Sequence, residues 1–350
     1  MDENQELQQQ FLQLLSIAEN MQQRIVTLEK SNEVLLKSQR QFAEWMNDTL
    51  AEISHYRENV YYELMDPRNT EEKNNCWYPR IASREETLSR IIEKGASIGR
   101  FGDGEFSTIA GRIRHNFQTV QDVKLADRLK EVLQSEEDGF LVAIADNYGS
   151  LHRYTEQAKR EIRYYMTSQV RKEHLALLKQ EHLYYDTHIT RPYVMFADNQ
   201  TDAPRKRFEQ LRQIWDQRDC IFVEGCMTGL GVGNNLFDNA HSIRRILAPA
   251  ENAFSQYDKI MEYCRKQPEN SLFLLALGPT ATVLAYDLFR AGYQAVDIGH
   301  VDLEYEWFLR GEGRRTPVTG KYNNEVADGN HPRKIRDSLY QSQIIADISQ

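Results

Sequence analysis

From residue 7 to residue 60 the apolar positions fall on a seven-residue repeat. With Phe11 at position a, the a series is Phe11, Ala18, Ile25, Asn32, Gln39, Met46, Ile53 and Val60. The d series is Leu7, Leu14, Met21, Leu28, Leu35, Phe42, Thr49 and Tyr56. Only Asn32, Gln39 and Thr49 break these two series, and no Gly or Pro interrupts residues 4–64. A lone amphipathic helix drifts off a strict heptad by ~20° per repeat, so a repeat held this long predicts a coiled coil. At ~1.5 Å per residue the rod from Leu7 to Val60 is ~80 Å long. Asn32 at a is a register-setting residue that favours two strands. A parallel pairing sets Arg24 (g) against Glu29 (e′) and Glu52 (g) against Arg57 (e′). Leu15, Leu36 and Leu50 at e, with Ile17 and Trp45 at g, widen the apolar stripe, which leaves trimers and tetramers open. Residues 1–64 therefore predict self-association and carry no candidate chemistry.

The pattern stops at Met65. Residues 65–84 hold Asp66-Pro67-Arg68-Asn69, Asn74-Asn75 and Pro79, which mark a linker. Beyond it, apolar runs alternate with amphipathic helices. Strands are predicted at Ser97–Phe101, Phe140–Ala145, Tyr193–Ala197, Cys220–Glu224, Arg245–Ala248, Ser271–Leu277 and Gln294–Ile298. Helices are predicted at Glu85–Lys94, Asp122–Gln134, Tyr154–Gln180, Ala203–Gln217, Asn234–Ala240, Asn252–Lys266 and Thr280–Ala291. This alternation implies βαβ units, a mainly parallel sheet and an α/β domain over 85–330, with 331–350 as a C-terminal tail. In such sheets ligands sit beyond the carboxyl ends of the strands, so the residues just after each strand carry the candidate chemistry.

Charge and composition narrow the class. The chain has 43 Lys+Arg against 52 Asp+Glu, a formal charge of −9, which argues against nucleic acid as a partner. Runs such as Phe140–Ala145 and Leu272–Leu277 are far short of the ~20 apolar residues of a transmembrane helix. The start MDENQELQQQ has no apolar leader, and Cys76, Cys220, Cys226 and Cys264 form no CxxC pair. These features predict a cytoplasmic chain with reduced thiols.

Four segments after strands hold the chemistry-bearing residues. In Arg100-Phe101-Gly102-Asp103-Gly104-Glu105 two glycines flank Asp103. Read as extended backbone, Asp103 and Glu105 point to one side and make a hard oxygen site for Mn²⁺ or Mg²⁺. The plain alternative is a turn followed by an acidic helix start. In Leu277-Gly278-Pro279-Thr280-Ala281-Thr282 a helix begins directly after a strand. Its free N–H groups and the hydroxyls of Thr280 and Thr282 suit phosphate oxygens. Glu224–Asn234 carries four glycines, with Gly231, Gly233 and Asn234 as candidate donor contacts, but matches neither GxGxxG nor a P-loop. Asp297–Trp307 brings His300, Asp302 and Glu304, each a candidate metal ligand or general base.

Together the segments RFGDGE, VEGCMTGLGVGNNLFDNA, LALGPTATVLAYDLFRAGYQAVDIGHVDLEYEWF and GKYNNE resemble glycosyltransferases of the GT-D fold, bacterial enzymes that glycosylate surface proteins or polysaccharides. The resemblance runs from about Glu85 to about Glu325. It implies a Rossmann-like sheet, a nucleotide-sugar donor such as UDP-glucose, a glycan or glycoprotein acceptor, and a divalent metal, usually Mn²⁺. It also implies that Asp103 and Glu105 form the Asp-x-Glu metal motif with His300 nearby, and that Arg100 faces the diphosphate. Gly102, Gly278, Pro279 and Thr280 are further candidate contacts of the nucleotide sugar. Asp302 and Glu304 are the candidates for activating an acceptor hydroxyl. A metal-dependent phosphohydrolase would use the same carboxylates, and a non-catalytic adaptor would account for the coiled coil alone.

Overall fold

The structure is a computed structural model that describes residues 3–64, 77–113, 117–323, 326, 329 and 335–349. The chain divides into two compact units at Leu64. The first is one uninterrupted helix, Glu3–Leu64, as the heptads predict. Its apolar residues stay exposed, with Leu14 at 65% and Leu28 at 68%. The side chains at heptad positions Leu7 and Val60, and that of Arg57, lie outside the described residues. So do linker residues 65–76, including Cys76, and tail residues 331–334. Among the described residues no helix is long and apolar enough to cross a membrane.

Among the described residues the second unit is built on nine strands, all in parallel ladders. They are β1 (Arg80–Ile81), β2 (Ser97–Phe101), β3 (Phe140–Ile144), β4 (Leu183–Asp186), β5 (Asp219–Gly225), β6 (Ser242–Ala248), β7 (Leu272–Ala276), β8 (Gln294–Asp297) and β9 (Ile344–Asp347), in the order β1-β4-β3-β2-β8-β7-β5-β6-β9. The continuous apolar runs follow from burial on both faces. Along β3, Phe140, Val142 and Ile144 enter one core while Leu141 and Ala143 enter the other. Along β7, Phe273 and Leu275 part from Leu272 and Leu274 in the same way.

Several expected elements differ. The sheet extends past 85–330 at both ends, because β1 pairs with β4 and β9 pairs with β6. The charged stretch expected as one helix over 154–180 is two, Glu156–Tyr165 and Ser168–Leu177. Thr155 and Thr167 each cap one of them, accepting from Ala158 N and Val170 N, so the second threonine starts a new helix. No strand forms over 193–197 beyond a single bridge, Tyr154 to Phe196. The N–H groups of Tyr193 and Val194 donate instead to the Glu304 carboxylate. The helix expected at 234–240 is a series of turns, since the Asn234 side chain accepts from Leu236 N and donates to Asp302 and Glu306. A helix not anticipated at 301–310 follows β8.

Candidate functional site

Neighbours β2 and β8 form the topological switch of the sheet. The chain steps from β2 outward to β3 and β4, while β8 lies on the side of β7 and β5. The helix after β2, Asp103–Ile109, sends Phe106 and Ile109 into one core. The helix after β8, Val301–Arg310, sends Val301, Leu303 and Trp307 into the other. The loops therefore leave to opposite faces and open a crevice between them, the place where a ligand binds in such sheets.

An ion pair between buried Asp297 and partly buried Arg100 spans the floor of this crevice. Arg100, next to last in β2, sets Nη2 3.0 Å from Asp297 Oδ1 at the end of β8 and donates from Nη1 to Thr190 Oγ1 at 2.7 Å. Thr282 Oγ1 donates to the Arg100 carbonyl at 2.8 Å, and Gly299 N to Asp297 Oδ1 at 3.1 Å. Burial pushes the Asp297 carboxyl up while the Arg100 guanidinium draws it down. At Gly299 (φ +47°) a Cβ would stand 1.9 Å from Arg100 Nη2, so only glycine admits the guanidinium. Arg100, expected to face a diphosphate, is thus engaged in joining two strands.

Asp103 and Glu105 lie at the crevice but do not converge as an extended segment would. The helix begins at Asp103 with Gly102 as its cap, and residues two apart on a helix point to nearly opposite sides. Asp103 is exposed. Glu105 folds back so that Oε2 accepts from Gly102 N at 2.7 Å. Burial pushes its carboxyl up, opposed by that N–H. Tyr165 Oη donates to the Asp103 carbonyl at 3.5 Å and meets His174 Nε2 at 3.1 Å. His174 also stacks on Phe106 and meets Tyr148 Oη through Nδ1 at 2.9 Å.

Three further loops close on the same edge. A Cβ at Gly104 would reach Pro279 Cγ at 4.0 Å, which places the Asp103 helix beside the start of the Pro279–Arg290 helix. Thr280 is buried in its first turn. Gly278 (φ +54°) lies under Phe117, whose Cβ would be 2.6 Å from a Cβ at 278. Phe117 meets the His300 ring edge-on at 5.1 Å and Tyr322 at 5.7 Å. Tyr322 N donates to Met227 O and its hydroxyl to Glu251, so one aromatic group ties together the loops after β5, β6, β7 and β8.

The expected second carboxylate pair is also split by a helix. Asp302 Oδ1 accepts from Gly231 N (3.0 Å) and Asn234 Nδ2 (2.8 Å), and Oδ2 pairs with Lys321 Nζ at 2.5 Å. Glu306, one turn on, shares Asn234 and Lys321. Glu304 points elsewhere, to Tyr193 N and Val194 N at 3.0 and 3.1 Å, and burial pushes its carboxyl up. Both expected proton acceptors are buried and spend oxygens on holding loops. Gly231 (φ +73°) packs against Phe237, while Gly233 (φ +82°) borders open space. A buried pair, Glu224 with Arg245, fixes the base of this loop by gripping both N and O of Leu230.

Among the described residues no three His, Cys, Asp or Glu side chains gather as a ready metal cage. Sequence reasoning singled out Asp103, Glu105, Gly278, Thr280 and His300 and missed Asp297, Phe117, Lys321 and Glu306. The position of Asp297, at the end of a strand beside the switch, was the available signal for it.

A family model described as glycosyltransferase GT-D fold matches residues 98–326. The chain is 37% identical over 274 residues to the probable glycosyl transferase Gly of Streptococcus gordonii, covering 77% of this chain and 39% of that protein. It is 35% identical over 275 residues to the glycosyltransferase GlyD of Streptococcus pneumoniae serotype 4, covering 77% and 32%. The chain thus spans well under half the length of these curated relatives. Among solved structures, a glycosyltransferase (DUF1792) from Streptococcus sanguinis matches with a TM-score of 0.72 at 36% identity, over 77% of this chain and 100% of that one. A structure of domain of unknown function 1792, described as having a distinct glycosyltransferase fold, matches with a TM-score of 0.71 at 35% identity, over 77% and 96%.

Proposed function

The chain belongs to the family of glycosyltransferases with the GT-D fold, and on that premise we propose that it moves a hexosyl group, glucose first among those to test, from a UDP-sugar to a hydroxyl of a glycan or glycoprotein acceptor. The observation that carries this reading is the convergence at the β2/β8 switch. There an exposed Asp103 stands beside a helix start at Pro279.

Departure of a nucleoside diphosphate builds negative charge on its phosphate oxygens, and fixed positive dipoles lower that cost. The Pro279–Arg290 helix offers its N-terminal N–H groups and the Thr280 hydroxyl for this. Arg100 acts from below, holding the loops after β2 and β8 at a constant separation. Mn²⁺ or Mg²⁺ fits the donor chemistry of the exposed Asp103 carboxylate, because such ions can bind through a single carboxylate and complete their shell with substrate phosphates; Glu105, turned back onto Gly102 N, would hold the start of that helix. When bound, the ion supplies positive charge against the leaving diphosphate. Asp302, Glu306 and Lys321 hold the Gly231–Asn234 loop in place, with Gly233 bordering open space for the donor. The exposed heptad stripe of Glu3–Leu64 supports self-association as a second property, and the free thiols Cys220, Cys226 and Cys264 suit a cytoplasmic setting.

Incubating the full chain with Mn²⁺ and a panel of nucleotide sugars tests the reading. UDP release that depends on the sugar is the expected result. Phosphate release that needs no nucleotide sugar, or no nucleotide binding at all, overturns it.

A further inference from the structure

We infer that the Glu3–Leu64 helix forms a parallel, in-register, two-stranded coiled coil with a second copy of this chain. The inference rests on the self-association proposed above and adds the number and direction of strands. The motivating surface is a long apolar stripe, exposed along one side of a single unbroken helix. At d, Leu14, Leu28 and Leu35 are 65%, 68% and 57% exposed, and at a, Ile25 and Ile53 are 52% and 53% exposed. Water-exposed leucines in that number, on one seven-residue period, call for an apolar partner with the same period.

The polar positions in the stripe select the direction. Thr49 is self-sufficient, since its hydroxyl donates to the Trp45 carbonyl at 2.8 Å. Asn32 and Gln39 are a-position amides that need a partner once buried. In a parallel, in-register pair each meets its own copy, so amide faces amide in both layers. In an antiparallel pair an a residue faces a d residue. The described d residues are Leu14, Met21, Leu28, Leu35, Phe42, Thr49 and Tyr56. Setting Asn32 opposite Thr49 puts Gln39 opposite Phe42, and setting Gln39 opposite Thr49 puts Asn32 opposite Tyr56. Every antiparallel register that buries both amides therefore leaves at least one of them against an aromatic or aliphatic side chain.

Charge and side-chain shape agree. The parallel register brings Arg24 at g to Glu29 at e′. The other g–e′ pairs between Ile17 and Leu50 are Ile17 with Gln22, Ser31 with Leu36, Ser38 with Ala43 and Trp45 with Leu50, so no like charges meet. β-Branched Ile25 at a, followed by Leu28 at d, is the combination that favours two strands over three or four.

Light scattering on the full chain reads the strand number, and Leu28→Cys reads the direction. In the parallel register two thiols at d face each other and close an interchain disulfide under mild oxidation. The unaltered chain, which keeps its native cysteines, sets the background, and Leu35→Cys repeats the test at the next d layer should the first variant weaken the helix. We expect a mass twice the 41.0 kDa of one chain, with a reducible two-chain band for both variants and none above background for the parent. A mass of one chain overturns self-association and this inference with it. Three or four chains overturn the strand number. Two chains with neither variant cross-linking overturn the direction alone.

Discussion

Arg100 Nη2 stands 3.0 Å from Asp297 Oδ1, and the pair joins the ends of the two strands at which the sheet reverses its order. A buried ion pair is a poor source of net stability, but removing part of one is costly. Its value here is geometric. The backbone leaves Arg100 toward Asp103 and leaves Asp297 toward His300, so the spacing of two candidate site residues follows from one salt bridge.

Gly299→Ala tests that coupling. The added Cβ would lie 1.9 Å from the guanidinium, at a backbone angle (φ +47°) that strains any L side chain. Arg100 must move, and we expect a stability loss of roughly 1–3 kcal/mol by urea denaturation, together with weaker UDP binding in the folded fraction. An unchanged urea midpoint would show that the pair tolerates a side chain there.

Asp103→Asn and Glu105→Gln separate two carboxylates of different character. Asp103 is exposed, so its amide variant should fold as the parent does and lose turnover by roughly 10²-fold or more. Gln keeps the bond to Gly102 N that Glu105 makes, so that helix start should survive as well. Turnover of Asp103→Asn within twofold of the parent, with Mn²⁺ at saturation, would remove Asp103 from the reaction.

What could be read before folding follows from how local each cause is. β2, β3 and β7 were legible because both of their faces are buried, which leaves unbroken apolar runs. The site loops were legible from glycines after strands. Partners distant in sequence were not. Arg100 and Asp297 are 197 residues apart, and no spacing rule connects them. Carboxylate pairs were misread for one reason in two places. Asp103 with Glu105 and Asp302 with Glu304 both start helices, so the side chains diverge where extended backbone would have aligned them. Asn234 stopped a helix through bonds to Asp302 and Glu306, which its own neighbours do not reveal.

Thr280→Val tests the diphosphate position. The substitution keeps the shape of a buried side chain at a helix start and removes its hydroxyl. A charge-assisted hydroxyl–phosphate contact is worth ~1.5–3 kcal/mol, so the Kd for UDP with Mn²⁺ should rise roughly 10- to 150-fold by calorimetric titration. UDP should also slow amide exchange over 278–282. If the Kd holds while only stability falls, Thr280 serves its helix, and the phosphates belong nearer Gly233.

His174 gives the chain a measurable acid sensitivity. Its ring stacks on Phe106 at 3.7 Å, is bracketed by the hydroxyls of Tyr148 and Tyr165, and lies near Arg112 and Glu173. Burial pulls its pKa from 6.5 down to about 4. The unfolded chain therefore takes up a proton between pH 6.5 and about 4 that the folded chain refuses. The resulting stability is fully present above pH 6.5 and is lost as pH falls toward 4, by about 3 kcal/mol at most. Glu105 and Glu304, pushed up by burial, slope the opposite way, since the folded state then holds the extra proton. Their contribution is common to the parent and to His174→Gln and cancels in the difference. The parent should lose more stability than the variant over that window, by urea midpoints at pH 7, 5.5 and 4.5. Because Phe106 belongs to the helix that opens with Asp103, catalytic loss on acidification should be milder in the variant as well. Parallel stability curves for the two proteins would place the acid sensitivity elsewhere.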